Sequence, residues 1–234
     1  MKKEEIQVKT LKVNGDIISN DYKWIYNWLD YESCCPKDLD SVIASLEPAE
    51  MLTVEINSGG GDVQAGQQIY STLKAISQEH PVEVHVQSMA ASAASLIAMA
   101  GHEVKMSPVA LLMIHNCSTQ AAGDYRVMQH SSEVLQTVNA AIRQAYMERT
   151  GIPEDELVEM MDKETWLTAN QCVERGFADA IIRDEAPKMV TNAMIGKLSV
   201  TPEMVERVKA EKAAHDARKA QAKELLADLD DYGV

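Results

Sequence analysis

The spacing of apolar residues changes repeatedly along the chain, between every second position and about every 3.6 positions. Alternation from Ile6 to Val13 predicts a strand that ends at Asn14-Gly15, and the apolar run from Met51 to Ile56 predicts another. Further strands are predicted at Val82 to Val86, near Val104, at Val109 to Ile114 and at Ala178 to Ile182. Helices are predicted at Tyr22 to Leu29, Leu39 to Leu46, from the glycines after Asn57 to Ile76, Ser88 to Gly101, Asp124 to Arg149, in a short acidic segment ending at Asp162, and at Thr168 to Arg175. Strands that alternate with helices in this way predict an α/β fold.

The C-terminal part of the chain differs in composition from the rest. Beyond Asp184 no strand pattern remains, and Thr201-Pro202-Glu203 has the N-cap, proline and early acid that open a helix. From there to Leu229 the chain is rich in Ala, Lys and Glu. We therefore predict two parts: residues 1–184 as one large domain, and residues 185–234 as a linker and helical extension.

Charge and composition exclude several classes of partner. The formal net charge is −14 and no basic cluster interrupts it, so nucleic acid is not expected as a partner. The longest apolar stretch, around Ala90 to Ala100, is too short to span a bilayer. The cysteines have neither zinc-site spacing nor a disulfide framework, and the N-terminus does not resemble a secretory signal. These features predict a cytoplasmic protein that uses no membrane, metal or organic cofactor.

A run of glycines follows the second predicted strand. In Asn57-Ser58-Gly59-Gly60-Gly61-Asp62 the absence of Cβ atoms lets a bound group approach the backbone closely. Such a turn can direct N–H groups at an anion, although a tight strand-to-helix turn alone would also need glycine. No Lys-Ser or Lys-Thr pair follows at the spacing of a phosphate loop, and no dinucleotide fingerprint is complete.

Two polar residues occupy positions suited to nucleophilic catalysis. Ser92 lies at a strand-to-helix corner among residues too small to shield its hydroxyl, which makes it a candidate nucleophile. The N–H of Ala93 would then face a developing oxyanion. His115 ends the apolar strand and is a candidate general base. Each residue alone is more typical of structural packing, and only their combination points to catalysis.

The order of these motifs resembles the proteolytic subunit of the Clp protease, ClpP. The strand-end Asn-Ser-Pro-Gly-Gly of that family matches residues 57–61, with Gly59 in place of proline. Its Ala-Ala-Ser nucleophile motif matches residues 90–92, which selects Ser92 over Ser88 or Ser95, so that Ser95→Ala is expected to remain active. Its Met-Ile-His matches Met113-Ile114-His115.

The resemblance extends to the end of the first predicted part. The closing Leu-Ser-Ala of the family, then Gly and Asp, matches Leu167-Thr168-Ala169, Gly176 and Asp179, so that about residues 9 to 183 are covered. This resemblance implies a ClpP/crotonase-type spiral of β-β-α units with a projecting long helix. It also implies peptide-bond cleavage, with Ser92 as nucleophile, His115 as general base, and the N–H groups of Gly61 and Ala93 as the oxyanion hole.

The resemblance further implies how a polypeptide substrate would bind. An extended substrate would add a strand between the glycine edge and the segment after His115. The implied substrate-binding residues are Gly60, Asp62, Val63, Ser118, Thr119 and Gln120.

The third member of the triad departs from the family pattern. Where the family has an aspartate, this chain has Glu164, with Asp162 two residues earlier. Either carboxylate could orient the His115 imidazole, because that role needs an acceptor and not a particular chain length. Register favours Glu164, and both residues stay open at this point.

Assembly and biological setting are also implied by the resemblance. The family forms rings, which here would be homo-oligomers of two stacked heptamers. Little sequence precedes the first predicted strand, no Walker motif is present, and a long helical extension follows the domain. These features resemble the ClpP-like prohead proteases that mature phage capsids, which implies capsid or scaffold proteins as partners and a place within phage proheads.

Two other functions fit parts of the pattern. A crotonase-type acyl-CoA enzyme also places glycine N–H groups at an oxyanion, but it would not need Ser92 and His115 at this spacing. A catalytically idle capsid assembly or scaffolding protein could retain the protease fold.

Overall fold

The computed structural model describes residues 8–48, 50–182 and 206–214. The chain divides into two compact units, residues 1–195 and 196–234. In the second unit, residues 206–214 are helical. The predicted boundary after residue 184 and most of the predicted extension lie outside the described residues.

The first unit is built on a mostly parallel sheet. Its strands are β1 Val8–Ile17, β2 Ser33–Cys34, β3 Met51–Gly61, β4 Val82–Ala91, β5 Glu103–Met106, β6 Leu111–Ile114, β7 Thr165–Thr168 and β8 Ala180–Ile181. The strand order is β2-β1-β3-β4-β5-β8, and β6 pairs with β4 and β7. Within the described residues, β6 with β7 is the one antiparallel pair. This architecture confirms the predicted α/β class.

Strand β4 pairs with β3 along one edge and has two successive partners along the other. Its first half pairs with β5, from Glu83↔Glu103 to Val86↔Met106. Its second half pairs with β6, in the register Met89↔Leu111 to Ala91↔Met113. The carboxyl ends of β4 and β6 therefore lie side by side.

Helices connect the strands and cover the sheet. They are α1 Lys23–Trp28, α2 Pro36–Ile43, α3 Val63–Ile76, α4 Ala93–Ala98, α5 Tyr125–Thr150, α6 Glu154–Asp162 and α7 Ala169–Glu174. In α3, Ala65, Ile69 and Leu73 recur every fourth residue and are buried. The Asp62 carboxylate accepts a hydrogen bond from Ala65 N–H at 2.7 Å, which caps the start of this helix.

The long helix α5 is buried only near its C-terminal end. Asp124 caps its start by accepting from the N–H groups of Arg126 and Val127, and Gly151 ends it with a left-handed φ of 70°. Throughout α5 the buried residues are Ile142, Ala145 and Tyr146. Its first half extends away from the core, as the predicted projecting helix requires.

One helix prediction is wrong at its start. Residues 88–91, predicted as the beginning of a small-residue helix, continue strand β4, and α4 begins only at Ala93. Alanine favours helix in isolation. Here the backbone from Met89 to Ala91 pairs with β6, and that tertiary pairing overrides the local preference.

Other boundaries also differ from the sequence pattern. β1 continues past Asn14 to Ile17 through an irregularity at Gly15, and β3 includes the whole glycine run to Gly61. The strands β2 and β7 were not predicted. No helix among the described residues is long and apolar enough to span a bilayer.

Candidate active site

Ser92 occupies the corner between β4 and α4. Its backbone has φ 56° and ψ −124°, a conformation that costs a non-glycine residue about 1–3 kcal/mol. The Ser92 N–H donates to the Met113 carbonyl on β6 at 3.0 Å, which holds the corner against the sheet. A residue kept in such a conformation by its surroundings is typical of a functional site.

The close packing beside the Ser92 corner leaves room only for glycine at position 60. A Cβ on Gly60 would lie 2.6 Å from both the Ala91 carbonyl oxygen and Ser92 Cβ. Its φ of 94° is also unfavourable for other residues. Gly60 is buried and its N–H donates to Ser58 Oγ at 3.1 Å. Gly60 therefore supports the Ser92 corner, and its contact with substrate stays a prediction.

His115 lies beside Ser92 because of the strand register. Ala91 and Met113 are paired, so the residues just beyond the ends of β4 and β6 are neighbours. His115 Nε2 is 2.7 Å from Ser92 Oγ. This is a normal hydrogen-bond distance between a nucleophile and a general base.

Glu164 approaches the other nitrogen of the same imidazole. Its Oε2 is 3.9 Å from His115 Nδ1, within ion-pair range but longer than a hydrogen bond. The Glu164 side chain is 58% exposed, and its Oε1 accepts from Trp166 Nε1 at 3.3 Å. The Asp162 carboxylate instead accepts from Asn116 Nδ2 at 2.7 Å.

A small apolar pocket opens next to the Ser92 hydroxyl. Besides Ser92 and His115 it is lined by Val63, Ala93, Leu96, Cys117, Ile142 and Tyr146. Burial raises the pKa of the Cys117 thiol, so this side chain stays neutral and contributes an apolar surface. The pocket can accept an uncharged side chain of a bound molecule.

The remaining predicted site residues lie in the segments that follow β3 and β6. Asp62 is exposed and caps α3, and Val63 lines the pocket. Ser118, Thr119 and Gln120 are exposed in the irregular segment that follows β6. The described residues contain no group of His, Cys, Asp or Glu that could hold a metal ion.

Sequence reasoning missed the hydrogen bonds made by Ser95. Ser95 is completely buried, and its hydroxyl donates to the Ser92 carbonyl oxygen at 2.6 Å. The same hydroxyl is 2.8 Å from the Tyr146 hydroxyl, 51 residues away. Burial excludes Ser95 as a nucleophile, but these contacts make Ser95→Ala unsuitable as a neutral control. No sequence pattern marked this pair, since each residue falls on the apolar face of its helix.

Comparison with known proteins identifies the family of this site. The Clp protease family matches residues 41–185, more than half of the 234 residues. The chain belongs to the Clp protease family. The matched region of this family member includes Ser92, His115 and Glu164. The chain is a serine-type peptidase, as the sequence predicted.

Individual relatives agree with this assignment. This family member is 32% identical over 142 residues to the ATP-dependent Clp protease proteolytic subunit 1 of Chlamydia muridarum, covering 58% of this chain and 71% of that protein. The subunit 1 of Chlamydia pneumoniae is 31% identical over 143 residues, with 58% and 72% covered. The ATP-dependent Clp protease proteolytic subunit of Bacteroides fragilis is 30% identical over 140 residues, with 59% and 67% covered.

Proposed function

We propose that this peptidase is an endopeptidase in which Ser92 is the nucleophile, His115 the general base and Glu164 the residue that orients His115. The observation that carries the proposal is the 2.7 Å contact between His115 Nε2 and Ser92 Oγ. Ser92 Oγ attacks the scissile carbonyl while His115 takes its proton. His115 then gives the proton to the leaving amine, and water hydrolyses the acyl-enzyme by the same steps.

Two backbone N–H groups are proposed as the oxyanion hole. Ala93 is the first residue of α4, so its N–H has no acceptor within the helix. The Asp62 N–H donates to the Ile17 carbonyl on the β1 side, at 2.7 Å. Because successive N–H groups of an extended segment point to opposite edges, the Gly61 N–H is directed toward the end of β4. Each donor would contribute roughly 3 kcal/mol to the transition state.

The substrate proposed for this site is an extended polypeptide. Asp62 and Val63 would contact it from one side, and Ser118, Thr119 and Gln120 from the other. The pocket lined by Val63, Leu96, Ile142 and Tyr146 would receive the side chain that precedes the scissile bond. Because this lining is apolar, uncharged residues are favoured at that position.

A catalytically idle assembly protein or a crotonase-type enzyme would not use Ser92. Labelling with a fluorophosphonate, followed by peptide mapping, separates these functions from the proposed one. A single adduct on Ser92 supports the peptidase mechanism. Absence of an adduct in folded protein would contradict it and favour the assembly protein.

We further propose that the chain forms homo-oligomeric rings, two stacked heptamers in the family's manner. Clp family proteins form homo-oligomeric rings and act on polypeptides. The projecting half of α5 supports this arrangement here, since Tyr125, Val127, Met128 and Val134 are each more than 40% exposed. Light scattering coupled to gel filtration should give a multiple of the 25.8 kDa chain mass. A stable 25.8 kDa monomer with full activity would contradict the ring.

The biological role proposed for the protease is maturation of phage proheads. Support comes from the sequence alone: the segment from Pro202 to Leu229 is rich in charged residues and has too few apolar residues for a wide core stripe. Such a segment would be suited to hold the protease on capsid or scaffold subunits.

Truncation after Asp184 tests both the role and the proposed boundary. We expect the shortened chain to cleave short peptides at an unchanged rate, because the residues proposed for catalysis precede the cut. It should lose co-sedimentation with a capsid precursor that the full chain retains. Loss of peptidase activity would show that the extension belongs to the catalytic domain, and unchanged co-sedimentation would remove its docking role.

A further inference from the structure

We propose that Tyr146 and Ser95 are positioning residues, which together hold the Ser92–Ala93 peptide so that the Ala93 N–H faces the oxyanion. The proposal rests on the role assigned to Ser92 above. It adds a connection from the nucleophile corner to α5, the helix whose first half extends from the domain.

The direction of the hydrogen bonds in this chain follows from their chemistry. The Ser92 carbonyl oxygen can only accept, and Ser95 Oγ lies 2.6 Å from it, so the single Ser95 hydroxyl hydrogen points there. Ser95 Oγ must then accept from the Tyr146 hydroxyl at 2.8 Å. The order is therefore Tyr146 O–H to Ser95 Oγ, and Ser95 O–H to the Ser92 carbonyl.

Because a peptide bond is planar, fixing the Ser92 carbonyl also fixes the Ala93 N–H. The Ser92 carbonyl and the Ala93 N–H belong to one trans peptide, in which the two groups point in opposite directions. The Ser92 carbonyl also accepts from the Ser95 N–H at 3.0 Å, and the Ser95 hydroxyl adds a second constraint on it. Holding the carbonyl toward Ser95 therefore holds the Ala93 N–H in the opposite direction. Hydrogen bonds to the carbonyl also polarise the peptide, which strengthens its N–H as a donor.

The surroundings make this arrangement rigid. Ser95 is fully buried and Tyr146 is 1% exposed. The Tyr146 ring meets Phe177 edge to face, with centroids 6.0 Å apart. Burial raises the pKa of Tyr146 to about 12, so its hydroxyl remains protonated and able to donate. The strained backbone of Ser92 needs such support to keep one orientation.

Tyr146→Phe tests the proposal because it removes one hydroxyl and keeps the aromatic ring. We expect kcat to fall about five- to tenfold with KM within about twofold of wild type. The variant should lose the correct orientation of the Ala93 N–H, which contacts the oxyanion of the transition state. It does not contact the bound substrate in the ground state, so kcat falls and KM does not. Fluorophosphonate titration should be used to express kcat per active site, so that partial unfolding does not imitate the effect.

Ser95→Ala and the double variant extend the test to the whole chain of hydrogen bonds. Ser95→Ala should lower kcat at least as much as Tyr146→Phe does. The double variant should have nearly the same kcat as Ser95→Ala alone, because the Tyr146 hydroxyl then has no Ser95 hydroxyl to orient. Tyr70→Phe, which removes the hydroxyl of a half-buried tyrosine on α3, should keep wild-type kcat.

Three results would overturn the proposal: wild-type kcat per active site in Tyr146→Phe, an effect confined to KM, or additive losses in the double variant. These failures are distinct from failure of the proposed function. If Ser92→Ala abolishes cleavage and Tyr146→Phe does not change kcat, only the positioning role is lost.

Discussion

Ser92→Ala is expected to lower peptide cleavage by about five orders of magnitude or more, with the fold and the oligomer unchanged. The substitution removes the hydroxyl that His115 Nε2 contacts at 2.7 Å. It removes little packing, and alanine suffers no greater strain than serine at a φ of 56°. Hydrolysis of a fluorogenic peptide, together with gel filtration and thermal unfolding, measures both parts of the prediction.

A suitable control is an exposed serine far from the corner. Ser41 on α2 is exposed, and its hydroxyl donates to the Asp38 carbonyl oxygen in the same turn of helix. Ser41→Ala should therefore keep full activity. Adding His115→Gln to Ser92→Ala should lower activity little further, because a general base cannot act when the hydroxyl that it deprotonates is absent. Substantial cleavage by Ser92→Ala would remove Ser92 from the mechanism.

The second large effect is expected at the third position of the triad. Glu164→Gln should lower kcat about 10- to 100-fold, because a neutral amide cannot stabilise the imidazolium that forms on His115. A glutamine can still accept from Trp166 Nε1, so the local structure should persist. The loss should be smaller than for a buried, directly bonded acid, since Glu164 is 58% exposed and 3.9 Å from His115 Nδ1.

Asp162→Asn is the matched comparison. Its carboxylate accepts from Asn116, and an amide oxygen can do the same, so we expect less than about a threefold change. The pair is compared in one peptidase assay at one pH. If Asp162→Asn is the more damaging change, the orienting role belongs to Asp162.

Local chemistry was enough to predict several elements from the sequence. The long helix begins after Asp124 and ends at Thr150, one residue beyond the predicted Arg149. The prediction succeeded because a capping carboxylate such as Asp124 and a left-handed glycine such as Gly151 act on their own turn of helix. The pairing of Ser92 with His115 was also predicted, though through the family resemblance. The two residues are 23 positions apart in the sequence, and local chemistry does not predict that they lie close together in the fold.

The features that the pattern missed depend on residues distant in sequence. Residues 88–91 form a strand because β6 supplies their hydrogen bonds, against the helical preference of alanine. The pattern also did not show that Ala91 and Ser92 approach Gly60 so closely that no side chain fits there.

The sequence by itself determined the α/β class, the family and the candidate residues Ser92 and His115, because these depend on periodicity and on short ordered motifs. Only the tertiary structure decided which groups surround them. The strand register brings His115 to the nucleophile, and helix packing brings the Tyr146 hydroxyl to Ser95 across 51 residues. A hydroxyl on the apolar face of a helix has no recognisable pattern in sequence, and its effect depends on the partner that packing places beside it.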